Sequence, residues 1–156
     1  MLIELLNEQV IEINLDVKTK SETVRRLVEL AYNSGKIKNI EEVIKKIMTR
    51  ERLLSTGVGK GVAIPRACSE FIEDFCFSFI ITKEPIDYES LDNAKVRILM
   101  FCGIPHNRID ESVEYMVRIF RLFNQDSFRA SLLKARNVKE VIKIFKKEEK
   151  DLDITS

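Results

Sequence analysis

The segment at residues 55–67, STGVGKGVAIPRA, concentrates the residue types in this chain that could do chemistry. Its three glycines alternate along the chain: Gly57, Gly59 and Gly61. Glycine permits tight turns and a close approach of the backbone to another group. Pro65 then restricts the backbone directly before Arg66, whose side chain carries a permanent positive charge. The segment can therefore bring backbone groups and a fixed cation close to a ligand.

Two nucleotide-binding motifs are excluded by the same residues. A Walker loop would need Ser or Thr after the pair Gly59 and Lys60, and a glycine at the position of Leu54. The dinucleotide-binding pattern would need a glycine where Val62 stands. In an alternative interpretation, the glycines only turn the chain between a helix and a strand.

The segment resembles the active-site signature of the enzyme IIA proteins of the sugar phosphotransferase system, of the fructose, mannitol and nitrogen-regulatory type. In that family a phosphoryl-accepting histidine directly follows the Ile-Pro pair, whereas this chain has Arg66 there. The pair Arg50 and Glu51 and the later residues 86–105, IDYESLDNAKVRILMFCGIP, are similar to the family as well. The resemblance covers nearly the whole chain.

Arg66 is unable to do the chemistry of the histidine that the resemblance implies. A neutral imidazole nitrogen can attack phosphorus near pH 7, whereas a guanidinium has a pKa above about 12 and no free lone pair. The family often has a second histidine at the start of a later helix, and the resemblance places Ser112 there. The chain therefore resembles the carrier without its nucleophile, and no catalytic residue is expected.

The resemblance also implies which residues would surround a phosphoryl group or another anion. Arg50 and Thr56 match family positions near the phosphorylated ring, and arginine suits that role through its fixed charge and planar donor fork. The expected phosphate pocket or anion-binding site consists of Arg50, Thr56, Arg66 and Ser112. The alternative is that Arg66 is a solvated surface charge with no ligand.

Two other side chains are candidate phosphoryl acceptors. His106 is the only histidine, and the resemblance places its loop near the same pocket; the alternative is a solvated loop side chain. Cys68 follows Arg66 by two residues and could act as a phosphocysteine if the cation lowers its pKa, or be an inert packed thiol. One histidine and three scattered cysteines do not form a metal cluster, so neither a metal nor a cofactor is expected.

The composition gives the chain no strong electrostatic field. Its 26 Lys and Arg residues are interspersed with 25 Asp and Glu residues, so nucleic acid is not an expected partner. No apolar run is long enough to span a membrane, and the first residues lack the pattern of a secretory signal. Cys76 and Cys102 lie in apolar runs, which is typical of buried free thiols in a reducing compartment. We therefore expect a cytoplasmic protein without direct membrane insertion.

Periodic patterns predict the elements that must position these residues. Residues 10–15 alternate like a half-buried strand, whereas residues 75–81 and 96–101 are continuous apolar runs, typical of strands buried on both faces. Four helices are predicted from capping residues at Ser21, Asn39, Asp110 and Asn137. The apolar stripe expected to be buried in the third of these helices is Val113, Met116, Val117 and Phe120.

These elements predict an α/β fold in which a mixed central β-sheet is flanked by helices on both sides. The resemblance implies the same architecture, that of the mannitol- and fructose-type enzyme IIA proteins. No repeat or linker divides the chain, so we expect one enzyme IIA type 2-like domain at residues 1–147. The charged residues 148–156 are expected to form a flexible C-terminal tail.

The leading hypothesis from the sequence is an enzyme IIA-like protein that has lost phosphoryl transfer and regulates by binding a protein partner. That partner would be a phosphotransferase-system component or a regulated target, and no fused membrane or carrier domain is visible, which favours regulation over sugar uptake. One alternative is a working phosphocarrier that receives phosphate from the histidine-containing phosphocarrier protein on His106. Another is an anion-binding module that uses Arg50 and Arg66.

Overall fold

The computed structural model describes residues 1–155, in which six strands and five α-helices follow one another along the chain. The strands are β1 (Ile11–Leu15), β2 (Gly57–Gly59), β3 (Val62–Ala63), β4 (Arg66–Ser69), β5 (Cys76–Ile86) and β6 (Val96–Pro105). The helices are α1 (Lys20–Tyr32), α2 (Ile40–Leu53), α3 (Ser112–Phe123), α4 (Asp126–Lys134) and α5 (Val138–Thr155). Short 3-10 helices lie at Leu2–Leu5, Glu8–Val10 and Ile109–Glu111.

The strands form one mixed sheet with β5 and β6 at its centre. The order is β1-β5-β6-β3-β2, and β4 follows β3 along the same edge of β6. The strand β5 runs antiparallel to β6, whereas β1 is parallel to β5, and both β3 and β4 are parallel to β6. The two apolar runs predicted as central strands are thus the middle of the sheet, and each extends several residues further than its apolar run.

Helices cover both faces of this sheet. Successive residues of a strand point to opposite faces, so β5 contributes to two cores. Phe77 and Phe79 pack into the core with α3, α4 and α5, whereas Cys76 and Ile80 pack into the core with α1 and α2. This confirms the predicted mixed α/β architecture with helices on both sides. None of the described helices combines the length and the apolar character needed to cross a membrane.

Two of the four predicted helix caps are confirmed. The side-chain oxygen of Asn39 accepts a hydrogen bond from the backbone N–H of Glu42 at 3.1 Å, at the start of α2. Asn137 does the same for Glu140 at 2.9 Å, at the start of α5. In both cases a short polar side chain satisfies an amide that has no partner within the helix.

The caps predicted at Ser21 and Asp110 are wrong. The hydroxyl of Thr19, two residues before Ser21, caps α1 by accepting from the N–H of Glu22 at 3.1 Å. Asp110 lies inside the 3-10 helix that leads into α3, and this helix start has no side-chain cap. The helix α4 was not predicted. The residue before it, Gln125, likewise makes no side-chain cap bond.

The prediction of a flexible tail at residues 148–156 is corrected by the structure, because the helix α5 continues through Thr155. Residue 156 lies outside the described residues. The Glu149 side chain is fully buried and accepts hydrogen bonds from the backbone N–H groups of Leu2 at 2.5 Å and Ile3 at 3.1 Å. Leu152, in the last turn of α5, packs into the core that α5 shares with α3 and α4. The sequence pattern of this charged segment did not indicate that the Glu149 carboxylate would cap the first 3-10 helix, Leu2–Leu5.

We expect Leu152→Ala to lower the free energy of unfolding by about 2 kcal/mol, because it removes a buried side chain. The matched control is Ile154→Ala on the same turn, since Leu152 is 7% exposed and Ile154 is 73% exposed. The control should stay within about 0.5 kcal/mol of the unchanged protein in denaturant unfolding. Equal, small effects of both substitutions would show that this part of the chain does not pack.

Candidate functional site

Arg66 lies near the middle of the sheet, where β4 pairs with β6. Its partner in the register is Cys102. Ala67 packs into the core with α1 and α2, and Cys68 packs against the core with α3 to α5. Because strand residues alternate between faces, Arg66 shares the α3 side with Cys68. Its Nη1 atom lies 3.9 Å from the sulfur of Met116 on α3.

The Arg66 guanidinium is half-buried and has no carboxylate partner. Burial lowers its pKa most, and the positive charge of Arg50 lowers this pKa further. The arginine still stays protonated near neutral pH, because its usual pKa lies above about 12. Within residues 1–155, no carboxylate oxygen lies within 4.0 Å of a guanidinium nitrogen of Arg50 or Arg66. Two neighbouring cations therefore make this part of the surface electropositive.

Glu51, next to Arg50 in the chain, is the centre of a buried polar network. Its carboxylate lies 2.8 Å from Lys20 Nζ and accepts a hydrogen bond from the hydroxyl of Tyr88 at 2.9 Å. It also accepts from the backbone N–H of Thr56 at 3.0 Å and from the hydroxyl of the same residue. Burial, and then the charge of Glu51, raise the pKa of Tyr88, so the phenol stays a donor. The network holds the start of the glycine segment against α1 and α2.

The structure places Thr56 beside Glu51 rather than with a free hydroxyl at the guanidinium groups. Its side chain is buried, and its hydrogen donates to the carboxylate. Thr56 therefore shapes the site through Glu51. This network was missed at the sequence level, although the adjacency of Arg50 and Glu51 before the glycine segment was a signal for it.

The glycine segment forms a tight hairpin between β2 and β3. Gly59 and Gly61 have φ angles of +90° and +79°, a region that side chains with a Cβ rarely adopt. Gly57 has a different reason, because a Cβ there would lie 2.1 Å from the side-chain oxygen of Ser90. The glycines are thus explained by the turn and by the close packing of the Ser90 loop.

Ser112 lies at the start of α3, one turn before Met116. Its buried hydroxyl donates to the backbone oxygen of Ile109 at 2.6 Å. Residues four apart are neighbours on a helix surface, so Ser112 adjoins the Met116 side chain that touches Arg66. The structure thus brings Ser112 near the site, but its hydroxyl hydrogen is donated to Ile109.

His106 follows directly after the last paired residue of β6, Pro105. It is exposed, in the turn directly after β6. It follows Cys102, the register partner of Arg66, by four residues, which correspond to about 13 Å along an extended chain.

The three cysteines differ in burial. Cys68 is partly exposed, whereas Cys76 and Cys102 are buried and free. Burial raises the pKa of Cys76 to about 12 and raises the pKa of Cys102 as well, so neither is a nucleophile near neutral pH. Among the described residues, no group of His, Cys, Asp and Glu side chains could hold a metal ion.

The outer face of α3 is apolar and exposed, which corrects the expected buried stripe. Val113 is 61% exposed, Val117 52% and Phe120 39%. The residues of α3 that enter the core are instead Ile119, Leu122 and Phe123. Val117 lies four residues after Val113 and three before Phe120, so the three form one surface, called here the α3 patch. Met116, which touches Arg66, is three residues from Val113 and four from Phe120.

The family model for the phosphoenolpyruvate-dependent sugar phosphotransferase system, EIIA 2, matches residues 4–148. The fructose-specific EIIABC component of Bacillus subtilis is 28% identical over 147 residues, which are 94% of this chain and 23% of that protein. The nitrogen regulatory protein of Bradyrhizobium diazoefficiens is 26% identical and covers 83% of this chain and 84% of its own length. This chain therefore spans less than a quarter of the first relative and most of the second.

The solved structures include a similar fold. The nitrogen regulatory protein IIA-Ntr from Neisseria meningitidis aligns with a TM-score of 0.85 and 27% sequence identity. The alignment covers 92% of this chain and 97% of that protein. The similarity thus includes both helical layers and the sheet between them.

We expect Glu51→Gln to lower the free energy of unfolding by about 3 kcal/mol, because it leaves the Lys20 ammonium buried without a counter-charge. The control is Glu41→Gln, which breaks an exposed ion pair with Arg25 and should have little effect. Denaturant unfolding measures both. Equal stability of the two variants would show that the network does not hold the site.

We expect a thiol reagent such as Ellman's reagent to modify one of the three cysteines in the folded protein and all three after denaturation. Cys68→Ser should abolish the reaction of the folded protein, because Cys76 and Cys102 are buried. Rapid modification of a second thiol would contradict the burial of these side chains.

Proposed function

Since this chain belongs to the EIIA 2 family of the phosphoenolpyruvate-dependent sugar phosphotransferase system, we propose that it is a member that no longer transfers phosphate. In this proposal it acts in the cytoplasm, without a cofactor, as a regulatory module that binds a protein partner. The partner is a phosphotransferase-system component or a target that such a component regulates. The similarity to two nitrogen regulatory proteins supports the regulatory branch.

The observation that carries this proposal is the guanidinium at the centre of the candidate site. Phosphoryl transfer through a side chain needs a nucleophile with a free lone pair, and Arg66 has none. The only imidazole in the chain, that of His106, lies in the exposed turn after β6 and not at the position of Arg66 on β4. The buried thiol of Cys102, the register partner of Arg66, is held protonated by its raised pKa. The site can attract and hold an anion, and the side chains that stay as alternative acceptors are the exposed imidazole of His106 and the partly exposed thiol of Cys68.

The α3 patch supports partner binding as the remaining role. Exposed apolar side chains at helical spacing beside a charged site are typical of protein-binding surfaces. The patch adjoins Arg66 through Met116, so one partner could contact the apolar and the charged residues together. A second candidate function, anion binding without a protein partner, is favoured by the two guanidinium groups of Arg50 and Arg66, which have no carboxylate partner.

Label transfer tests the proposed function. The purified chain is incubated with radiolabelled phosphoenolpyruvate, enzyme I and the histidine-containing phosphocarrier protein, beside an active enzyme IIA protein. We expect label on the active protein and none on this chain, because Arg66 cannot form a phosphoramidate with the carrier's phosphoryl group under these conditions. Acid-labile label on this chain would overturn the proposal, and its loss in His106→Gln would assign the acceptor.

Two variants at the same position show what the substitution has removed. Arg66→His adds a nucleophile, whereas Arg66→Gln removes the charge without adding one. Label on the histidine variant alone would show that the rest of the pocket is competent for transfer. If neither variant is labelled, the ability to accept phosphate has also been lost elsewhere, at Ser112 or at the docking surface.

A further inference from the structure

One side of the helix α2 is exposed to solvent and carries three cations. The residues that line a depression along this side are Glu42, Lys45, Lys46, Thr49, Arg50 and Leu53. Most of them are three or four positions apart, which is the spacing of neighbours on one helix face. We call Lys45, Lys46, Arg50 and Leu53 the α2 face. All four side chains are exposed, so nothing in the fold covers them.

The acidic residues of α2 do not neutralise this face. Glu41 forms an ion pair with α1 at 2.7 Å, and Glu51 is buried against Lys20. The remaining carboxylate, that of Glu42, lies at the N-terminal end of the depression. In the part of the chain that the structure describes, no cation of the α2 face has a carboxylate oxygen within 4.0 Å. The face is therefore net positive, although the charges of the whole chain nearly cancel.

The α2 face ends in an apolar side chain that lies in water. Leu53 is 84% exposed, and the next residue, Leu54, is 60% exposed. Leu53 follows Arg50 by three residues, so the apolar and the cationic side chains are neighbours. Transfer of an exposed leucine from water to an apolar phase is favourable. A partner that covers this surface would gain most if it were both anionic and apolar.

The surface of a membrane fits this combination better than nucleic acid or a folded acidic protein. All the residues that line the depression belong to α2, so the face offers no cleft between elements for a side chain of a protein partner. Nucleic acid would bind the cations through its phosphates and leave Leu53 in water. A bilayer attracts cations through anionic headgroups and also takes up apolar side chains at the boundary of its acyl chains.

We propose that the α2 face binds the surface of an anionic membrane, with its three cations at the lipid headgroups and Leu53 at the boundary of the acyl chains. Each Lys or Arg near such a surface adds a small attraction, so the association is weak and reversible. The chain stays at the surface, and no helix has to cross the bilayer. This inference goes beyond the proposed function and does not rest on it, because Arg66 and the α3 patch take no part.

Flotation with lipid vesicles tests this inference. The purified chain is mixed at low salt with vesicles of equal parts phosphatidylglycerol and phosphatidylcholine, or with vesicles of phosphatidylcholine alone. We expect the chain to float with the anionic vesicles only, and added salt should release it because salt screens the attraction. Equal binding to both kinds of vesicle, or binding to neither, overturns the inference.

Charge variants assign the binding to the α2 face. Lys46→Gln and Arg50→Gln should each weaken binding to the anionic vesicles about fivefold, since each removes one cation from the surface. The matched control is Arg52→Gln, which removes the same charge from the same helix. Arg52 lines a different depression, beside Asp87 and Glu89, and a residue two positions along a helix points to roughly the opposite side from Arg50.

The control variant should change the affinity for anionic vesicles by less than about twofold. Equal effects of the three charge substitutions would show that only the net charge of the chain matters, and the assignment to the α2 face would then be wrong.

An apolar variant separates a bilayer from other anionic partners. Leu53→Ser should weaken vesicle binding about fivefold, because it removes the side chain that leaves water. The matched control is Ile154→Ser on α5, since Ile154 is 73% exposed and lies outside the α2 face. If Leu53→Ser leaves vesicle binding unchanged, the face binds through charge alone, as it would bind nucleic acid or an acidic protein, and the inference fails.

Discussion

The buried carboxylate of Glu51 is the interaction on which the candidate site depends. It joins the start of α1 through Lys20, the start of the glycine segment through Thr56, and the loop after β5 through Tyr88. A buried charge is tolerated only where it is paired and hydrogen-bonded, so all three segments must be in place together. The geometry that leads to β4 and Arg66 is therefore built by folding and does not wait for a ligand.

The sequence predicted those parts of the fold whose determinants are local. The apolar runs of β5 and β6 and the caps at Asn39 and Asn137 each lie within a few residues, and the structure has all of them. The end of α5 was not predictable in this way. Glu149 caps the N–H of Leu2, 147 residues away, and a charged side chain with so distant a partner looks in sequence like a solvated one.

The site shows the same division between local and distant information. The glycine segment drew attention to this part of the chain, and the family resemblance singled out Arg66 within it and added Arg50. The exposure of α3 was not predictable, because this helix has a second apolar stripe, at Ile119, Leu122 and Phe123, which also has helical spacing. Periodicity identifies both stripes, but only packing against the sheet decides which one stays in water.

The half-buried cation at position 66 has a consequence for stability as well as for binding. A guanidinium that has lost part of its hydration beside another cation opposes folding, as the lowered pKa of Arg66 reflects. A neutral imidazole in the same place would carry no such repulsion. Folding brings the two charges into each other's range, so the repulsion is present before any ligand binds. In the proposed function, arginine at the position where the family resemblance implies a titratable ring gives a permanent electropositive site and no reversible acceptor.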